Sequence, residues 1–69
     1  MKNYIRSERV RLGMTARELA DKVGVSESTI TAWENEKRDP NLSYLVGLAK
    51  TFSCSVDYLL GLSDERKAS

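Results

Sequence analysis

Apolar residues fall at helical spacing in five short stretches, and each stretch is bounded by a capping residue or a glycine. The first runs from about Asn3 to Leu12 and ends at Gly13, with Ile5 and Leu12 on one face. Thr15 followed by Glu18 has capping-box spacing, so a second helix starts near Ala16. Leu19, Ala20 and Val23 share its inner face, and Gly24 supplies its end. Ser26 caps a third helix almost at once. There Ile30, Trp33 and Glu34 fall on the inner half. Met14 with Leu19 and Val25 with Ile30 both have hydrophobic-staple spacing across a cap. A charged loop from Glu36 to Asp39 is closed by Pro40, and Asn41 then caps a fourth helix whose stripe is Leu42, Leu45, Leu48, Ala49 and Phe52. Ser55 caps a last short helix that runs through Leu60 to Gly61. Residues 63 to 69 are polar and have no stripe, so they are expected to be a frayed, disordered tail. The pattern predicts an all-α fold, with residues 1 to 62 as one domain.

Two capped, stapled short helices joined by a glycine-containing turn form a helix-turn-helix signature, and the second helix of such a pair is the one that usually enters the major groove. Its outward half carries Ser28, Thr31, Ala32 and Asn35. Helix propensity explains this face poorly, because Ser, Thr and Asn all rank below Ala, Lys or Glu at exposed helical sites. Short side chains let a helix lie close to base edges, where they exchange hydrogen bonds or meet thymine methyls. The plainer alternative is a solvated face that happens to be small.

Arg9 sits between Ile5 and Leu12 on the first helix, and Glu34 sits beside Ile30 and Trp33 on the third. Charges on two core-facing stripes are tolerated when they meet, which predicts an Arg9 to Glu34 ion pair. The competing reading is two separate surface charges with their stems laid over the core edge. Gly47 lies off the stripe of the fourth helix, and the sequence offers no reason for it.

Composition excludes more than it assigns. The chain has 69 residues, one cysteine and no histidine, so it supports one modest core without an internal disulfide, and familiar zinc-site spacings are ruled out. Cys54, beside Phe52 and Val56, reads as a small buried hydrophobe rather than a nucleophile. There is no glycine-rich phosphate loop and no patterned pair of carboxylates. The expectation is a non-enzymatic protein without metal or cofactor. No apolar run is long enough to span a membrane and no secretory signal is visible, which makes the cytoplasm the expected compartment. Eleven Lys and Arg against ten Asp and Glu give a net charge of only +1. The placement matters more: Arg17 opens the second helix, while Lys37 and Arg38 follow the third, so both flanks of the small polar face are basic.

The run Met14 to Ala20, then Gly24, Val25 and Ser26, then Ile30, Trp33, Glu34, Asn35 and Lys37, resembles the Cro/C1-type helix-turn-helix family of phage and bacterial repressors. Pro40 with Leu45, Leu48 and Ala49, and the ending from Ser55 to Gly61, extend the likeness over about residues 3 to 61. The resemblance implies a five-helix, lambda-repressor-like domain that binds double-stranded operator DNA, commonly as a dimer, with the third helix in the major groove. It also supports the Arg9 to Glu34 link. On this reading Glu27, Ser28, Thr31 and Ala32 contact bases, with the Glu27 carboxylate accepting from cytosine N4 or merely favouring the helix N-terminus. Thr15, Arg17, Asn35, Lys37 and Arg38 contact phosphates. Three positions depart from the family pattern: Ala16 stands where a glutamine is common, Glu27 puts a carboxylate that would repel phosphate in the first turn of the third helix, and Glu36 stands where glycine is frequent. Phe52, Cys54, Val56, Tyr58 and Leu62 offer more apolar surface than one short helix buries, and are expected at a homodimer contact that forms only on DNA if it is weak. The expected function is a sequence-specific transcriptional regulator, a repressor. The alternatives are a protein-interaction or antitoxin-like module using the same fold and, more remotely, a structural oligomerisation protein.

Overall fold

In the computed structural model, which describes residues 2–66, four of the five helices begin where a side chain satisfies an otherwise unpaired N–H. These are α2 (Ala16–Val23), α3 (Glu27–Glu34), α4 (Leu42–Phe52) and α5 (Val56–Leu59). Thr15, Ser26, Asn41 and Ser55 accept from the backbone N–H of Glu18, Thr29, Tyr44 and Tyr58. At Thr15 the capping box is complete, because Glu18 Oε1 accepts from the Thr15 N–H at 3.0 Å. The other helix, α1 (Ile5–Arg11), starts differently. Asn3 Oδ1 accepts from the Ile5 N–H at 3.1 Å, while its amide nitrogen donates to the Trp33 carbonyl at 2.9 Å, so the cap of α1 is tied to the end of α3.

Each helix ends with a left-handed residue that lets the last carbonyls be paired. Gly13, Gly24 and Gly61 serve three of them, and Glu36 and Ser53 serve the others with φ of 60° and 55°.

The core is built from Ile5, Leu19, Ala20, Ile30, Trp33, Leu45, Leu48, Phe52 and Leu59. Both staple partners, Met14 and Val25, pack against it. α2 packs on α3 and α4, α1 bridges α3 and α4, and α5 closes on α4. The Trp33 and Tyr44 rings meet at 5.4 Å between centroids, which fastens α3 to α4. The Tyr4 and Tyr58 rings meet at 5.2 Å, and the Tyr4 N–H donates to the Leu59 carbonyl at 2.8 Å, which fastens the N-terminal segment to α5.

Several sequence expectations are corrected. α1 is shorter at both ends than residues 3 to 12, because Asn3 is spent as a cap and Leu12 already belongs to the turn; Leu12 is exposed rather than packed with Ile5. Leu42, assigned to the α4 stripe, is 71% exposed at the open edge of the first turn. Phe52, assigned to a dimer contact, is wholly buried in the protein's own core. Cys54 is half-buried against that core rather than enclosed by it. The folded unit also continues past residue 62. Arg66 turns back onto Glu8, and its carbonyl accepts from the Ser55 N–H at 2.8 Å, so residues 63 to 66 are held; residues 67 to 69 lie outside the described part. A Cβ on Gly47 would meet nothing within 4 Å, and nothing in the structure explains that glycine.

Candidate functional site

Helix α3 is clamped along its inner side. Ile30 and Trp33 are buried, and Glu34 receives a two-pronged contact from Arg9: Nε donates to Oε2 at 2.7 Å and Nη2 to Oε1 at 3.2 Å. Arg9 Nη1 also donates to the Met14 carbonyl at 2.9 Å, so one guanidinium ties together α1, the approach to α2 and the end of α3. The hydrogen bond to Glu34 holds the Arg9 guanidinium even further above its ordinary pKa, against the opposing effect of burial. A helix clamped at both ends of its inner stripe presents its other face with little freedom to roll.

That other face carries Glu27, Ser28, Thr31 and Asn35, all exposed, with Ala32 half-buried at its margin. Ser28 and Thr31 lie one turn apart, as do Ser28 and Ala32, and Thr31 and Asn35, so the residues form one contiguous patch. Its hydroxyls are partly engaged. Ser26 Oγ accepts from the Thr29 N–H at 3.2 Å and lies 3.0 Å from Ser28 Oγ and 2.8 Å from Thr29 Oγ1. Thr31 Oγ1 donates back to the Glu27 carbonyl at 3.2 Å.

The expected phosphate contacts lie on both flanks. Thr15, Arg17, Asn35, Lys37 and Arg38 are all exposed. Thr15 Oγ1 accepts from the Glu18 N–H at 3.0 Å within the capping box, and the hydroxyl also faces the Glu18 carboxylate. Arg17 shares the recess between α2 and α3 with Asp21 and Glu27, so that recess is electrically mixed. Beyond α3 the chain turns tightly: Glu36 donates its N–H to the Trp33 carbonyl at 3.1 Å and Lys37 donates its own to the Ala32 carbonyl at 2.9 Å. This turn sets Lys37 and Arg38 directly against the end of the patch.

The sequence model of the helix-turn-helix family matches residues 5–59, from the first residue of α1 to the last of α5. The chain belongs to the Cro/C1-type helix-turn-helix family. It is similar to the HTH-type transcriptional regulator YobD of Bacillus subtilis, with 42% identity over 52 residues that cover 75% of this chain and 46% of that protein. It is also similar to repressor protein C2 of Salmonella phage P22, with 40% identity over 60 residues covering 87% of this chain and 28% of that one. The chain thus spans less than half the length of these two relatives. Among solved structures, the crystal structure of the P22 c2 repressor with a synthetic operator matches with a TM-score of 0.80 and 39% identity, over 86% of this chain and 89% of that one.

Against the Cro/C1-type pattern, Ala16 is half-buried and packs on the core, whereas its neighbours Thr15 and Arg17 are exposed. Glu36 adopts the left-handed conformation that glycine would supply at no steric cost. A non-glycine residue there costs roughly 1 to 2 kcal/mol, partly offset because glycine loses more entropy on folding. Glu36→Gly is therefore expected to raise the unfolding free energy by about 0.5 to 1 kcal/mol. A urea midpoint that stays unchanged or falls would count against the strain.

Sequence reasoning missed a second polar cluster. Glu8, only 3% exposed, accepts from Arg66 Nε at 2.9 Å and Nη2 at 2.7 Å, and from Arg11 Nη2 at 3.2 Å. Arg11 and Arg66 also donate to the Phe52 carbonyl at the end of α4. Glu8 stands three residues after Ile5 on the same stripe, a signal equal to the one that exposed Arg9. The two ion-pair groups set three arginines against two glutamates and so contain the whole net charge of +1. The remaining charged residues balance, and any basic character of the α3 flanks comes from placement alone.

Proposed function

We propose that this chain is a sequence-specific regulator of transcription, a repressor, which binds double-stranded operator DNA and reads it with α3. The observation that carries this reading is the pairing of a rigid inner face with a small polar outer one. α3 is held by Arg9, Trp33 and Ile30, yet it spends its exposed side on Ser28, Thr31, Ala32 and Asn35, which do little for helix stability. A helix that is clamped behind and short-chained in front suits close approach to base edges, with Ser28, Thr31, Ala32 and Glu27 as the readers. Thr15, Arg17, Asn35, Lys37 and Arg38 fix its position through the backbone. The likeness to a repressor solved with operator DNA supports the same assignment. The role is binding rather than catalysis, and it calls for no metal or cofactor. Among the described residues no helix is long and apolar enough to cross a membrane, and a cytoplasmic location suits a DNA-binding role.

One such module buries on the order of 600 to 1,000 Å² on DNA, little for selecting a single operator, so two protomers acting together are proposed. Phe52 is unavailable for their contact, Cys54 and Val56 pack against the core, and Tyr58 is engaged with Tyr4. Leu62, 75% exposed, is the best placed of the five, so Leu62→Asp tests the contact with the least damage to the fold.

The experiment is selection from random duplex DNA at two salt concentrations. A recovered motif supports the reading, and no motif at either salt refutes it. Replacing Ser28 is expected to change the preferred bases, whereas Lys37→Ala weakens all sequences alike and makes the salt slope shallower by about one unit. Identical selectivity for wild type and a folded Ser28 variant would remove Ser28 from the readout. Sedimentation with the selected operator is expected to give two protomers on a roughly palindromic site. One protomer on a non-palindromic site would refute the pairing.

A further inference from the structure

A recess of about 520 Å³ opens between the α1–α2 turn, the end of α2 and the end of α4, lined by Leu12, Met14, Lys22 and Thr51. Leu12 is 43% exposed there, and Met14 is half-buried against the core. Gly47 stands one turn before Thr51 on the same side of α4, and the Thr51 hydroxyl donates to its carbonyl at 2.9 Å. Apart from proline, glycine is the least favourable residue inside a helix, yet Gly47 has open space where a Cβ would sit. No described residue uses that space. The rim beside it is cationic: Lys22 and Lys50 are exposed, and among the described residues neither ends in a salt bridge. No carboxylate lines the recess. Of the two on α2, Glu18 is held in the capping box at Thr15, and Asp21 lines the other recess, between α2 and α3.

We propose that this recess docks an acidic amphipathic helix of another protein. Its apolar side chains rest on Leu12 and Met14, its carboxylates meet Lys22 and Lys50, and its backbone passes close to Gly47, where the absent side chain leaves room. Charge decides between this occupant and a second copy of the chain. A two-fold pair would set the lysines of one protomer against those of the other, whereas a carboxylate-bearing partner neutralises both. No residue assigned to DNA lines the recess, so the two roles fail separately.

The probe is a synthetic helical peptide with one leucine stripe flanked by glutamates, titrated into the isotope-labelled full chain and followed by the amide resonances. Saturable shifts are expected at Leu12, Met14, Lys22, Gly47 and Thr51. Lys22→Glu and Lys50→Glu should each weaken binding roughly tenfold, because repulsion replaces an attraction. A peptide with lysines in place of the glutamates should bind the double variant and not the wild type. Gly47→Ala separates docking from folding, since its two expected effects have opposite signs. It should raise the urea midpoint, as alanine favours a helix more than glycine does, and weaken the peptide roughly tenfold, as its methyl fills the space for the partner's backbone. A lower urea midpoint would give Gly47 a role inside the fold and overturn the inference. Unchanged peptide affinity in Gly47→Ala, or equal binding by a peptide with glutamines in place of the glutamates, overturns it as well. So do shifts confined to Arg17, Lys37 and Arg38, which would mark only the basic flanks of α3, and a dimer in sedimentation that Lys50→Glu dissolves, which would make a second copy the occupant. None of these results touches the selection from random duplex DNA, on which the DNA-reading role is judged.

Discussion

Arg9→Ala is expected to lower the unfolding free energy by about 2 to 4 kcal/mol, the largest effect of any single surface-reaching side chain in this domain. The side chains of Arg9 and Glu34 are only 15% and 9% exposed, so removing one partner strands the other where water reaches it poorly. Arg9 also supplies the Met14 carbonyl, so Arg9→Ala should cost more than Glu34→Ala. In the double-mutant cycle the two changes should fall short of additivity by about 1 to 3 kcal/mol, because the second removal breaks a contact already lost. Additivity within about 0.5 kcal/mol would mean that the pair is not a coupled unit. For a single domain of this size the loss is a large share of the total stability, so unfolding by urea is best followed at low temperature. Free energies at that scale also bear on the proposed DNA binding, since the same contact joins α3 to α1.

Glu8→Gln is expected to remove about 2 kcal/mol at neutral pH and part of the acid sensitivity of the fold. Burial pushes the Glu8 carboxyl up, but hydrogen bonds and charge from Arg66 and Arg11 outweigh it and leave the group below its ordinary value of 4.5. A folded value below the unfolded one means that the unfolded chain binds more protons as pH falls. The stabilisation is therefore fully present above the ordinary carboxylate range, and it is lost as pH drops through that range to the lower folded value. The partners moderate the size, since Arg66 and Arg11 are 28% and 44% exposed and can rehydrate. Measured from pH 7 down to pH 3, the stability gap between wild type and variant should narrow. Glu18, held low by the N–H and hydroxyl of Thr15, retains a slope of the same sign in both proteins. A gap that stays constant through the acid range would show that Glu8 contributes no pH-linked stability.

The contrast between these two ion pairs shows what was legible and what was not. Arg9 and Glu34 each break an apolar stripe, and each is the obvious partner for the other, so the pair could be read from two helical wheels. Glu8 breaks the same stripe as Arg9, but its principal partner lies 58 residues away in a segment with no periodicity at all. A polar run without a stripe reads as a tail, because nothing in such a run records that a buried carboxylate elsewhere needs a cation. Docking of Arg66 follows from the place where α5 returns the chain, next to the end of α4.

By itself the sequence determined the helices, their order, the turn between α2 and α3, and which small polar residues share the outward side of α3. Caps at Thr15, Ser26, Asn41 and Ser55, staples, and the spacing of Leu19, Ile30, Trp33, Leu45 and Leu48 act within a few residues, and such signals survive without a third dimension. Tertiary structure decided which edge of each stripe meets the core. A wheel places Leu42 and Leu45 alike, yet one is 71% exposed and the other 8%, because Leu42 lies at the outer edge of the helix's contact with the core, which Tyr44 and Leu45 already make. It also decided the fate of Phe52, which looked like surplus apolar surface until the core closed over it. The left-handed turn at Glu36 belongs with these: three glycines announce helix ends locally, but here a glutamate takes the same conformation in a turn closed by backbone hydrogen bonds to the Trp33 and Ala32 carbonyls. Local rules name the residues that can end a helix, whereas packing energy summed over the whole core selects the conformation a less suited residue must take.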